Sequence, residues 1–162
     1  MPGDDPSPSD AGTGFKVETK PLVPLGVALR RGWLGYRRRL DDELAAEGFD
    51  DRGLSDERVL AVTSVRRAVT ISCIGRELGM TRQGASKIVA SLRERGYLTV
   101  TPWGADARQK IVELAPRARE YLEAHEVAAR RIEDGLRREF GDVAIERFYA
   151  VLESLQVTKG PA

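Results

Sequence analysis

Two short helical segments meeting at a turn around Gly79, a β-branched hairpin directly after them, and long apolar stripes on either side predict one fold class. It is mainly α with a small two-stranded wing, a winged helix-turn-helix flanked by long dimerisation helices. The 162 residues suit a single domain with extensions.

The first twenty residues hold Pro2, Pro6, Pro8, Gly3, Gly12 and Gly14 and few large apolar side chains. Such a stretch buries too little surface to offset its ordering entropy, so residues 1–20 are expected to form a disordered arm. Residues 157–162 read as a frayed tail. From Leu22 the pattern turns helical: Leu25, Leu29, Trp33, Tyr36, Leu40 and Leu44 recur at three- and four-residue steps, and Gly48 suits a stop. This predicts a first long helix over about 22–47.

In Leu54-Ser55-Asp56-Glu57, Ser55 is the expected N-cap, with acids in the first turn and Leu54 stapled to Val59. That helix is expected to reach Arg67. Thr70 caps a short helix carrying Ile71, Ile74 and Leu78, which Gly79 ends. Thr81 caps the next, which runs from Arg82 to about Arg95 and stops at Gly96. Tyr97–Thr101 and Gln109–Leu114 are the expected wing strands, with Pro102–Arg108 as the tip. Pro116 suits the first turn of a long helix bearing Tyr121, Leu122, His125, Ala128, Ala129, Ile132 and Leu136. After a break at Gly141, Val143, Ile145, Phe148, Tyr149, Leu152 and Leu155 mark the last helix. The winged helix therefore spans about 54–114, and the dimerisation helices about 22–47 and 116–156. Apolar stripes on both flanks of so small a domain call for a second copy of the chain to cover them.

Composition narrows the function. Lys and Arg total 26 and Asp and Glu 25, a formal charge of +1, which excludes a globally basic coat for nucleic acid or membrane. One cysteine, Cys73, and one histidine, His125, leave no intrachain disulfide, no metal cluster and no catalytic triad. No run is long and apolar enough to span a bilayer, and the N-terminus lacks the form of a signal peptide. The sequence thus predicts a cytoplasmic protein that is not an enzyme and needs no cofactor. Cys73 and His125 are both expected to pack in the core, His125 alternatively at a dimer interface.

Charge is nevertheless segregated. Residues 76–110 carry seven basic and three acidic side chains, +4, where the whole chain carries +1. Within the 82–95 helix, Ala85, Ile88, Val89 and Leu92 form an apolar stripe. Arg82, Gln83, Ser86 and Lys87 lie outside it near the N-terminal half, the half a recognition helix presents to the major groove. Arg can bridge guanine O6 and N7, and Gln adenine N6 and N7. Arg76 and Thr81 are placed to touch phosphate. Gly84 costs ~1 kcal/mol of helix propensity, which a close approach to DNA would explain. In the hairpin, Asp106 precedes Arg108 by two residues and can hold its guanidinium extended into a narrow minor groove.

These residues carry a resemblance. Ile74-Gly75-Arg76-Glu77-Leu78-Gly79-Met80-Thr81-Arg82-Gln83-Gly84-Ala85-Ser86-Lys87, the exit Leu92-Arg93-Glu94-Arg95-Gly96-Tyr97-Leu98, and Asp106 with Arg108 resemble the MarR family of transcriptional regulators. The resemblance covers about residues 22–156. It implies a homodimer on a pseudo-palindromic operator, acting as a repressor or activator. It also implies release by a small aromatic or lipophilic effector bound between the dimer helices and the DNA-binding lobe. Trp33 and Tyr36 are then candidate walls of that pocket, or equally parts of the dimer core. A winged-helix module that binds protein instead of DNA is the alternative; it calls for a more apolar face around Arg82.

Overall fold

The computed structural model describes residues 23–66, 68–103 and 106–156, with the side chains of 106–109 outside the description. The expected arm over 1–20 and tail over 157–162 lie outside the described residues. The chain runs α1 (Leu25–Ala46), α2 (Leu54–Val65), β1 (Val69–Thr70), α3 (Ile71–Glu77), α4 (Arg82–Glu94), β2 (Leu98–Trp103), β3 (Asp106–Leu114), α5 (Pro116–Phe140) and α6 (Asp142–Ser154). Among these helices none is long and apolar enough to cross a membrane.

The core gathers Val59 and Leu60 of α2, Ile74 of α3, Ala85, Val89 and Leu92 of α4, Leu98 and Val112 of the sheet, and Tyr121 of α5. Burying such side chains contributes roughly 1.5–3 kcal/mol each. Leu40 and Leu44 extend the core along the C-terminal half of α1. The N-terminal half is different. Leu25 is 57% exposed, and Trp33 and Leu34 are half-exposed in the single chain, so the α1 stripe is only partly covered. The same holds on α6, where Ile145 is buried while Val143, Phe148, Tyr149 and Val151 stand open. α6 is tied back to α5 by Arg137, which pairs with Glu133 at 2.8 Å, Glu146 at 3.0 Å and Asp142 at 3.2 Å.

Several boundaries differ from the sequence expectation. α2 begins two residues earlier, with Gly53 at the N-cap and Ser55 inside the first turn. Asp56 supplies the cap, its Oδ2 accepting the Gly53 N–H at 3.0 Å. A carboxylate three residues on reaches back to that donor, so Ser55 is not needed there. Leu54 is half-exposed and is the first helical residue, past the position before the cap that a hydrophobic staple uses. The sheet has three strands, ordered β1-β3-β2 and all antiparallel. β1 is only two residues long, with Val69 paired to Val112 and Thr70 to Ile111. So short a strand has no alternation to read; it exists because β3 offers it an edge.

The wing hairpin is also longer than expected. Pro102 and Trp103 belong to β2, and Asp106 and Arg108 lie within β3 instead of a loose tip. Pro102 is tolerated because β2 is an outer strand, where a missing N–H costs no ladder bond on the open side.

His125 is half-buried with its ring edge-on to Tyr121, 5.8 Å between centroids, as a packed side chain. Cys73 is not fully enclosed. It packs against the core with its thiol at the margin, 3.3 Å from Nη1 of Arg66, which also pairs with Glu77 at 2.6 Å.

Candidate nucleic-acid interface

The α3–α4 unit is built by small residues and two threonine caps. Thr70 Oγ1 accepts the Cys73 N–H at 3.2 Å and starts α3. Gly79 ends it at φ 64°, a left-handed conformation that favours glycine. The turn closes tightly because Gly75 has no side chain: a Cβ there would stand 3.1 Å from the Met80 carbonyl oxygen and 3.6 Å from the Ala85 Cβ. That carbonyl belongs to the residue whose own N–H donates to Gly75 O at 2.9 Å. Thr81 Oγ1 then accepts the Gly84 N–H at 3.1 Å and starts α4. Gly84 has a local reason as well. A Cβ at 84 would lie 3.3 Å from that same oxygen, so the glycine makes room for the cap. The close approach to DNA inferred from its helix cost is not required.

α4 presents two faces. Ala85, Val89 and Leu92 are buried. Arg82, Gln83, Ser86 and Lys87 are exposed, as are Thr81 before the helix and Arg76 in the last turn of α3. Thr81, Gln83, Gly84, Ser86, Lys87 and Ala90 line one open concavity along the helix. Arg82 stands exposed beside it. The structure therefore brings together, on one outward surface, the α4 residues that the sequence singled out. Asp106 and Arg108 are placed by their backbone in β3, across the hairpin from the end of β2; their side chains lie outside the description. Trp33 and Tyr36 stack on one another, 6.0 Å between centroids and 20° between planes, on α1. Burial, with the nearby Glu133 carboxylate, pushes the Tyr36 phenol up.

What holds the exit of α4 was not legible in the sequence. Arg95, counted there among the basic residues, is turned inward. Its Nη2 donates to Asp56 Oδ2 at 3.0 Å and its Nη1 to the Asp51 carbonyl. Tyr97 is fully buried and its hydroxyl donates to Asp51 Oδ1 at 2.6 Å. Arg117 of α5 reaches Asp51 Oδ2 at 3.5 Å. Burial and the Asp51 hydrogen bond push the Tyr97 phenol up. Beneath this sits Arg52, its guanidinium 3.6 Å from the centroid of the Tyr121 ring and bonded to the Phe49 carbonyl. Asp51 and Tyr97 are 46 positions apart, and no local pattern links them.

Residues 56–109, from the first turn of α2 into β3, match the model of the MarR family. That segment, a third of the chain, is similar to the winged helix of the MarR family. The wider fold agrees with solved structures. Wild-type MarR from E. coli in its apo form superposes with a TM-score of 0.63 at 16% identity, covering 83% of this chain and 98% of that one. A MepR variant from S. aureus, bound to an oligodeoxyribonucleotide, gives 0.63 at 18%, covering 83% and 100%. The transcriptional repressor CouR, bound to a 23-mer DNA duplex, gives 0.64 at 23%, covering 82% and 92%. No curated protein matches the sequence. At these identities the superpositions speak for the fold alone, over more than four fifths of the chain.

Proposed function

We propose that this chain is a sequence-specific DNA-binding transcriptional regulator, a cytoplasmic homodimer that acts as a ligand-responsive repressor. One observation carries the reading. The exposed N-terminal half of α4 gathers Arg82, Gln83, Ser86 and Lys87 around one open surface. In this reading Arg82 and Gln83 read base edges in the major groove, while Ser86 lets the helix approach and Lys87 adds charge. Arg76 and Thr81 hold phosphate. Arg108, oriented by Asp106, enters the minor groove. The uncovered apolar residues of α1 and α6 meet their counterparts in a second chain, which sets two α4 helices about one helical turn apart on a pseudo-palindromic operator. Trp33 and Tyr36 take a small aromatic or lipophilic effector. The DNA-bound MepR and CouR structures, alike in fold, support the same use of the surface.

The test is selection of duplexes from a random pool, followed by anisotropy titration on a selected and a scrambled duplex. Recovery of an inverted repeat bound by two chains, with clear preference over the scramble, is the expected result. Failure to recover any preferred sequence would leave the protein-binding module as the better reading.

A further inference from the structure

Trp103 closes β2 with 55% of its surface exposed, opposite Asp106 across the hairpin. The strand register slips between Pro102 and Trp103. Pro102 has no N–H and lies on the outer strand, so this end of the hairpin is poorly suited to recruit a further strand. It presents an indole instead. Lys110 pairs with Pro102 in register and is exposed, and Arg108 follows Asp106 by two residues in the same hairpin. A large aromatic left in water, with exposed Lys110 paired to the residue before it, on a wing that directly follows α4, matches a polyanion whose grooves are lined by apolar sugar faces.

We propose that Trp103 is a DNA-contacting residue of the wing, laying its indole against sugars and base edges of the minor groove beside the stretch that α4 reads. The inference rests on the DNA-binding reading above. It assigns the wing a second kind of contact. Lys110 and Arg108 answer to phosphate charge and groove potential. The indole answers to groove width and to how easily a base step opens, so it favours flexible steps without reading a base code.

The probe is a short duplex recovered by selection on the wild-type protein. The chain has two tryptophans, so emission from the Trp103→Phe variant reports Trp33 alone. The duplex should change wild-type emission and leave that of Trp103→Phe unchanged. Trp103→Ala should bind roughly tenfold more weakly, the scale of one lost aromatic–nucleotide contact. It should keep the wild-type dependence of log affinity on log salt, because no phosphate contact is lost, whereas Lys110→Ala should flatten it. Wild-type affinity in Trp103→Ala, or the same emission change in wild type and Trp103→Phe, overturns the proposal while DNA binding stands. If Trp103→Ala does not fold, the emission comparison decides by itself. A wild-type protein that binds no selected duplex in the anisotropy titration overturns the DNA-binding reading and this inference with it.

Discussion

Tyr97, one residue past the glycine that ends α4, donates its hydroxyl to Asp51 at 2.6 Å, joining the exit of that helix to the loop between α1 and α2. The same loop residue meets Arg117 of α5 and, through its carbonyl, Arg95. One aspartate thus fixes the outward face of α4 against the flanking helices. Tyr97→Phe should cost about 1–1.5 kcal/mol, because a buried hydrogen bond is lost while the ring stays. Urea denaturation of Tyr97→Phe, Asp51→Ala and the double variant should give a coupling clearly different from zero. Additive losses would mean the pair does not interact in solution.

The start of α4 should behave as a cap with a fitted neighbour. Thr81→Ala should destabilise by ~1 kcal/mol and Thr81→Ser by much less, since only the oxygen is needed. Gly84→Ala should not recover the usual propensity gain of ~1 kcal/mol, because its Cβ would press on Thr81 Oγ1 at 3.3 Å. Thermal melts of the three variants check this. A fully stabilised Gly84→Ala would show that the cap gives way freely.

Arg82 and Arg108 should separate base reading from charge. Arg82→Ala should lose ~1–3 kcal/mol on the selected duplex and relax preference at one position per half-site. Arg108→Ala should weaken selected and scrambled duplexes by similar factors and flatten the salt dependence. Salt titrations on both duplexes decide. Equal losses on both duplexes for Arg82→Ala, with an operator-only loss for Arg108→Ala, would reverse the two assignments.

Assembly should follow the uncovered apolar residues. Light scattering at micromolar concentration should give a dimer mass, unchanged when residues 1–20 are removed. Phe148→Glu, placing a charge on the open face of α6, should give a monomer. A monomer mass for the wild type across the accessible concentrations would refute the dimer.

Burial lowers the His125 pKa from its ordinary 6.5, with Arg37 and Arg52 also lowering it and Glu57 opposing. The unfolded chain therefore binds a proton at higher pH than the folded one. Stability is complete above about 6.5 and should fall as pH drops below it, down to the lowered folded value. His125→Gln should flatten the melting temperature across that window. An unchanged pH profile in the variant would assign the dependence to other groups.

The α3–α4 unit was legible because its determinants are local. Thr70 and Thr81 cap helices three residues away, Gly79 and Gly96 supply the left-handed stops, and Ala85, Val89 and Leu92 mark the buried stripe within a few turns. The polar face of α4 follows by subtraction. The wing was legible as a hairpin but not in extent, because Pro102 and Trp103 read as turn residues until β2 is known to be an outer strand.

The sequence by itself determined which segments are helical, where they stop, and which α4 side chains stay in water, since periodicity and caps act over three or four residues. Only the tertiary structure decided the rest. Two-residue β1 forms because β3 offers it an edge. Arg95 turns inward because Asp56 and the Asp51 carbonyl wait there, and Gly75 is needed because the Met80 carbonyl folds back upon it. Each of these depends on where a second backbone runs. A carboxylate 39 or 46 positions away leaves no trace in the local pattern of charge and hydropathy, so its effect appears only once the chain has brought the two together.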